Sequence, residues 1–211
     1  MSNIILTDCD GVLLNWRDPF DAYMMREKGI FAEGDVRVYD QADRYEMPDI
    51  FEYILEFNNS ANIGFLPPLY DSVKYVRKIY EEFGYKFTVI TSLSLNPYTQ
   101  KLRTKNLQNI FGKEVFDEFV YLDTGADKDD ILLKYSEFYP GAYWIEDKVK
   151  NALAGQEVGL QPLLIKHPHI KVEKHLTEGI PLMSNWRMVY ETVGGWATSF
   201  KISVWRINKK L

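Results

Sequence analysis

From Leu69 onward the chain repeats one unit: a short apolar run with a polar end, then a helical stretch closed by a turn residue. That alternation limits the fold more than any other feature of the sequence. Short runs that are apolar at nearly every position suit strands covered on both faces. Phe87 to Ile90 ends in Thr91-Ser92, Phe119 to Leu122 leads into a polar turn, Ala142 to Ile145 ends in Glu146-Asp147, and Leu163 to Ile165 completes the series. Between them, Tyr70, Val73, Val76, Ile79 and Tyr80 fall at helical spacing up to Gly84. Pro97 to Phe111 predicts a helix closed by Gly112, Asp127 can cap another through Phe138, and a further helix runs to Val158. The pattern predicts an α/β protein with a Rossmann-like, three-layer parallel sheet core.

Asn3 to Thr7 adds a first buried strand at the N-terminus. The segment after Leu14 breaks the rhythm. From Asn15 to Asn62 it is helical, aromatic and acidic, interrupted by Gly29, Gly34 and Pro48, and Ile63 to Pro68 reads as a re-entry loop. The expected organisation is a core of residues 1–14 and 67–211 with a small helical cap, residues 15–66, inserted after the first strand. Near the C-terminus a helix over Asn185 to Thr192 and a strand over Phe200 to Ile207 are expected.

In such sheets, ligands bind beyond the carboxyl ends of the strands, so reactive residues there carry weight. Strand one ends in Asp8 and Asp10, strand two in Thr91 and Ser92, strand four in Glu146 and Asp147, and Lys128 opens the helix after strand three. Carboxylates suit a hard divalent cation, a hydroxyl and an ammonium suit phosphoryl oxygens, and paired acids can supply a nucleophile and a proton shuttle. The set points to phosphoryl transfer.

These residues also carry a resemblance. Asp8-Cys9-Asp10-Gly11-Val12, Val89-Ile90-Thr91-Ser92, Lys128 and Trp144-Ile145-Glu146-Asp147 resemble, in order, motifs I to IV of the haloacid dehalogenase-like phosphohydrolases. The resemblance implies Mg2+-dependent phosphomonoester hydrolysis through an aspartyl-phosphate. Asp8 would be the nucleophile and Asp10 the acid and base. Thr91, Ser92 and Lys128 would hold the phosphoryl group. Asp8, the Asp10 carbonyl and Asp147 would bind Mg2+. A narrower likeness links Leu13-Leu14-Asn15-Trp16, Leu66-Pro67-Pro68-Leu69, Pro97-Tyr98 with Lys101, and Glu146-Asp147 to the 5'(3')-deoxyribonucleotidases, implying a nucleotide substrate and a second phosphate clamp at Lys101. The chain departs from that group at Asn151, where many relatives carry aspartate, and at Lys166-His167-Pro168-His169, where Pro-Tyr-Asn is expected. A phosphatase for sugar phosphates or polynucleotide ends, and a non-catalytic binding protein of the same fold, are the competing readings.

Other features point elsewhere or nowhere. The net charge of -5 argues against stable duplex nucleic-acid binding. Cys9 is the only cysteine, no apolar run reaches a membrane span, and no leader pattern opens the chain, so a cytoplasmic protein is expected. His167, His169 and His175 fit no zinc spacing. Trp144, Trp186, Trp196 and Trp205 read as core residues, and Trp16, at the entrance to the insert, is the one aromatic that is a candidate for stacking on a base. Walker, dinucleotide-binding and Gly-x-Ser-x-Gly motifs are missing, which removes support for P-loop hydrolysis, hydride transfer and serine hydrolysis.

Overall fold

The computed structural model describes residues 3–35, 37–38, 40–168 and 179–195. Among these residues six strands form one sheet: β1 (Ile4–Thr7), β2 (Lys86–Ser92), β3 (Phe116–Leu122), β4 (Tyr143–Glu146), β5 (Gln161–Ile165) and β6 (Leu182–Met183). Their order is β3-β2-β1-β4-β5-β6, and every neighbouring pair is parallel. The chain leaves β1 toward β2 on one side and returns to β4 on the other. The strand order therefore reverses at β1, and the crevice of a doubly wound sheet opens at that reversal.

The helices are α1 (Arg17–Tyr23), α2 (Gln41–Tyr45), α3 (Ile50–Asn58), α4 (Ser72–Phe83), α5 (Pro97–Phe111), α6 (Asp129–Phe138) and α7 (Val149–Glu157), followed by a helix at residues 186–195. Strand alternation sorts the core. Ile5, Val89 and Ile145 point into one apolar cluster with Val76, Leu107 and Trp186, whereas Leu6, Ile90 and Trp144 point into another with Leu132, Tyr135 and Ala154. Helices thus cover both faces, as the double-sided apolar strands require. Among the described residues, no helix is long and apolar enough to cross a membrane.

The insert after β1 holds α1, a π-helical turn (Met24–Lys28), α2, α3 and a 3-10 turn (Ala61–Phe65). Trp16, Phe20, Tyr23, Tyr45 and Phe57 pack as an aromatic nucleus within it. Its two linkers lie side by side: Asn15 N donates to the Pro67 carbonyl at 2.9 Å, and Leu14 bridges Pro68 in antiparallel fashion. The loop between β1 and the insert is pinned from below. Ser72 Oγ donates to the Leu13 carbonyl at 3.1 Å, and buried Trp186 donates from Nε1 to the Val12 carbonyl at 2.8 Å.

Two local expectations shift, and one short strand is new. β3 begins at Phe116, not Phe119: it is an edge strand, and exposed Asp117 and Glu118 hide its pattern. Asp127 does not cap α6. Lys128 occupies the N-cap position without a side-chain cap, and Asp127 pairs with Lys150 at 2.5 Å. β6 spans two residues, too few to show a period. The expected strand at Phe200 to Ile207, and His169 and His175, lie outside the described residues.

Gly155 shows how tightly α7 seats. A Cβ there would lie 2.5 Å from Trp144 Cδ1, and Trp144 Nε1 donates to the Asn151 carbonyl of the same helix at 3.0 Å. Helix propensity alone makes Gly155→Ala stabilising by about 1 kcal/mol. The contact with a fully buried ring reverses that sign, and we expect a loss of about 1–3 kcal/mol in urea unfolding; a gain in stability would contradict the packing.

Candidate functional site

A cavity of about 610 Å³ lies between the carboxyl ends of the strands and the helical insert. Asp8, Asp10, Thr91, Ser92, Lys128 and Asp147 all line it. The insert contributes its far wall through Trp16, Asp21, Arg44, Phe51 and Asn58. Six of the seven site residues expected from sequence thus share one space. Lys101 does not: it is exposed on α5 and outside the cavity lining.

The floor of the cavity is a buried charge network. Lys128 Nζ lies 2.9 Å from Asp8 Oδ2 and 2.9 Å from Glu146 Oε2. Asp8 Oδ1 accepts the Cys9 N–H at 2.7 Å, which fixes its other oxygen toward Lys128. Glu146 is saturated. Its Oε1 accepts from the backbone of Asp147 and Lys148, each at 3.1 Å, and its Oε2 also accepts from Asn151 Nδ2 at 3.3 Å. Glu146 therefore orients Lys128 and shapes the loop after β4. Asn151, the departure noted in the sequence, serves the same carboxylate.

Asp8, Glu146 and Asp147 present oxygens that all lie within 4.8 Å of one another. When ionised, the three carboxylates and one ammonium leave two negative charges uncompensated, the complement of a divalent cation. Burial, and then the Glu146 charge, push the Asp8 carboxyl up to about 6; burial, and then the Asp8 charge, push Asp147 up to about 7. An all-oxygen, electron-rich donor set of this kind suits a hard ion such as Mg2+. Because Glu146 is taken, Asp8 and Asp147 are the available side-chain ligands.

Gly11 makes the close approach possible. Its φ of +76° lies in the left-handed region, and a Cβ would fall 2.2 Å from Asp147 Oδ2. Its carbonyl lies 2.6 Å from His167 Nε2, which also sits 3.8 Å from Asp147 Oδ2. His167 and Pro168 thus line one side of the cavity. Buried Thr91 is the penultimate residue of β2, and Ser92 Oγ donates to the Ala126 carbonyl at 2.8 Å, tying the second strand end to the loop before Lys128.

Two residues add to the sequence reading. Trp16 stacks on Phe20 with centroids 4.6 Å apart, meets Phe57 edge-on and donates from Nε1 to Asn58 Oδ1 at 2.9 Å. The half-buried ring both packs the insert and lines the cavity. More consequential is Arg103, which the sequence reading passed over. It is fully buried, and its Nη1 donates to Asp10 Oδ1 at 2.6 Å and to Cys9 Sγ at 2.9 Å. A signal existed: Thr99, Arg103, Asn106, Leu107 and Phe111 form the buried face of α5, with the four-three-one-four spacing of a helix stripe. That same stripe leaves Lys101 and Lys105 outside.

No family model matches the sequence, and no curated protein does either. Solved structures do match. A haloacid dehalogenase-like family hydrolase from Streptococcus pneumoniae superposes with a TM-score of 0.65 at 13% identity, covering 90% of this chain and 98% of its own. A predicted phosphatase from Clostridium acetobutylicum gives 0.66 at 14%, covering 92% and 98%. D,D-heptose 1.7-bisphosphate phosphatase from B. bronchiseptica, solved with magnesium and phosphate, gives 0.56 at 14%, again covering 92% and 98%. The architecture of this chain, a six-stranded parallel sheet between helices with an insert after β1, is the Rossmann-like fold of the haloacid dehalogenase-type hydrolases.

Proposed function

We propose that the protein is a Mg2+-dependent phosphomonoester hydrolase working through an aspartyl-phosphate, with a nucleoside monophosphate as its substrate class. The observation that carries the reading is the meeting of Asp8, Asp10, Thr91, Lys128 and Asp147 on one cavity, with Lys128 held 2.9 Å from the Asp8 carboxylate. An anion that enters there meets a fixed ammonium and a strand-end hydroxyl. Both are in place before charge redistributes over the phosphoryl oxygens.

Asp8 attacks phosphorus, and the bond to the leaving oxygen breaks with its electron pair going to that oxygen. Asp10 gives the leaving oxygen a proton and becomes a carboxylate. Asp10 then takes a proton from water as the water oxygen attacks the phosphorus of the aspartyl-phosphate. The bond to Asp8 breaks, its carboxylate is restored, and inorganic phosphate departs. Asp8 and Asp147, with the Asp10 carbonyl, are the groups that would hold Mg2+, which when bound offsets the repulsion between the carboxylates and the incoming phosphate. The helical insert acts as the cap that covers the reacting group and excludes water.

The nucleotide assignment rests on the resemblance of the Leu13 to Trp16 and Leu66 to Leu69 segments to deoxyribonucleotidases, and on a cavity wall that mixes Phe51 and Ile54 with Asn58, Asp21 and Arg44. Such a wall offers a planar, hydrogen-bonding leaving group both a face and partners. The Asp21 carboxylate is itself held by Arg44 at 2.5 Å and by the Tyr45 hydroxyl at 2.7 Å. It therefore presents a fixed acceptor to the ligand.

Four outcomes are expected. Asp8→Asn lowers phosphate release by roughly 10⁴-fold or more while the melting curve is retained; near wild-type turnover would sink the mechanism. Chelation of Mg2+ abolishes turnover, and in the metal-free protein Asp147→Asn raises the melting midpoint by roughly 2–4 °C, as about 1 kcal/mol of relieved repulsion would in a domain of this size. A lower midpoint would show that the carboxylates do not repel one another there. In a panel of phosphomonoesters, nucleotides exceed sugar phosphates in kcat/KM by about tenfold or more, the ratio that roughly 1.4 kcal/mol of leaving-group contact supplies. Inert nucleotides beside an active sugar phosphate would replace the substrate class and leave the chemistry intact.

A further inference from the structure

Arg103 has no part in the mechanism above, yet it is the one cation paired with Asp10 among the described residues. It comes from the middle of α5, far in sequence from the loop it meets, and is completely buried. One nitrogen carries all of its hydrogen bonds: Nη1 donates to Asp10 Oδ1 and to Cys9 Sγ. Nε and Nη2 are buried without a hydrogen-bond partner among the described residues. A buried guanidinium with two idle donors is a poor device for stability, since an apolar side chain of similar volume would fill the same space without desolvating a charge. Its one strong contact is with the carboxylate that faces the cavity.

The direction of that contact matters. Asp10 lines the cavity and keeps 23% of its side chain exposed, while Arg103 is absent from the lining. The guanidinium therefore grips one carboxylate oxygen from the core side, while the Asp10 side chain still reaches the cavity. Asp10 needs such a grip. Its neighbour Asp8 is a like charge, and Lys128 is already committed to Asp8 and Glu146. By holding Cys9 as well, Arg103 fixes two consecutive residues of the loop that carries both carboxylates.

We propose that Arg103 is a positioning residue for the proton shuttle: it anchors one oxygen of Asp10 so that the other faces the leaving oxygen in the first step and water in the second. The inference rests on the phosphatase reading, and it assigns a role to α5 that the strand-end residues do not fill. A side chain that positions Asp10 must affect both half-reactions, and it must affect them only through Asp10.

The test uses the full-length protein with Mg2+ and two probes, an alkyl phosphate and p-nitrophenyl phosphate. In Arg103→Lys and Arg103→Met, kcat on the alkyl phosphate falls about 10²-fold while KM stays within about threefold. With p-nitrophenyl phosphate, whose leaving group needs little acid, each variant releases one equivalent of nitrophenol in a burst and then slows, because hydrolysis of the aspartyl-phosphate still needs Asp10 as base. In an Asp10→Asn background, neither Arg103 change lowers kcat further. Where Arg103→Met fails to fold, Arg103→Lys keeps the buried charge and carries the result; loss of fold by both overturns the proposal in favour of a purely structural cation. Wild-type kcat in folded Arg103→Lys, or losses that multiply with those of Asp10→Asn, also overturn it. A wild-type protein inert on both probes overturns the phosphatase reading and this inference together. An active wild type matched by Arg103→Lys overturns this inference alone.

Discussion

The ammonium of Lys128 holds the site together. It lies between Asp8 on β1 and Glu146 on β4, two strands that pair directly in the centre of the sheet. All three groups are buried, so each would be costly without the others: breaking such a pair leaves an uncompensated charge worth about 3–5 kcal/mol. The structure answers that cost with full coordination of Glu146, which accepts four donors. Much else follows from this arrangement. Lys128 is drawn into the N-cap position of α6, and Asp127 turns outward to Lys150. Asp147 is delivered beside Asp8, and Gly11 must lack a side chain to admit it.

One cation among three carboxylates cannot balance them, and the proposed chemistry rests on that imbalance. The remaining negative charge favours a divalent ion near Asp8 and Asp147, while Lys128 keeps an oxygen of Asp8 in a fixed direction. A second, separate pair, Arg103 with Asp10, divides the acidic loop into two compartments. Asp8 is coupled to a cation on the sheet edge and Asp10 to a cation inside the core. Two carboxylates two residues apart thereby receive different surroundings, which lets similar groups take different roles.

Much of the fold was legible in the sequence because both faces of the sheet are covered. Double-sided burial leaves Ile4-Ile5-Leu6, Val89-Ile90 and Trp144-Ile145 with no polar alternation to blur them, and strand ends then locate Asp8, Thr91 and Asp147. The sequence reading failed where burial is one-sided or the element is short. Asp117 and Glu118 on an edge strand concealed the start of β3, and Leu182-Met183 is too brief to carry a period. Within the site, Lys128 was found by motif order, whereas Arg103 was missed because a buried arginine in a basic helix looks like its solvated neighbours. Lys101 and Arg103 lie on the same basic helix, and only the stripe of Thr99, Asn106 and Leu107 separates them.

The central claim is that Asp8 becomes covalently phosphorylated, and acid-quenched mass spectrometry of the enzyme during turnover of an aryl phosphate tests it most directly. The account predicts a phosphoryl group on the peptide that contains Asp8, on that side chain, absent in Asp8→Asn and longer lived in Asp10→Asn. Turnover with an unmodified Asp8, in samples where slowed hydrolysis should let the intermediate accumulate, would contradict it.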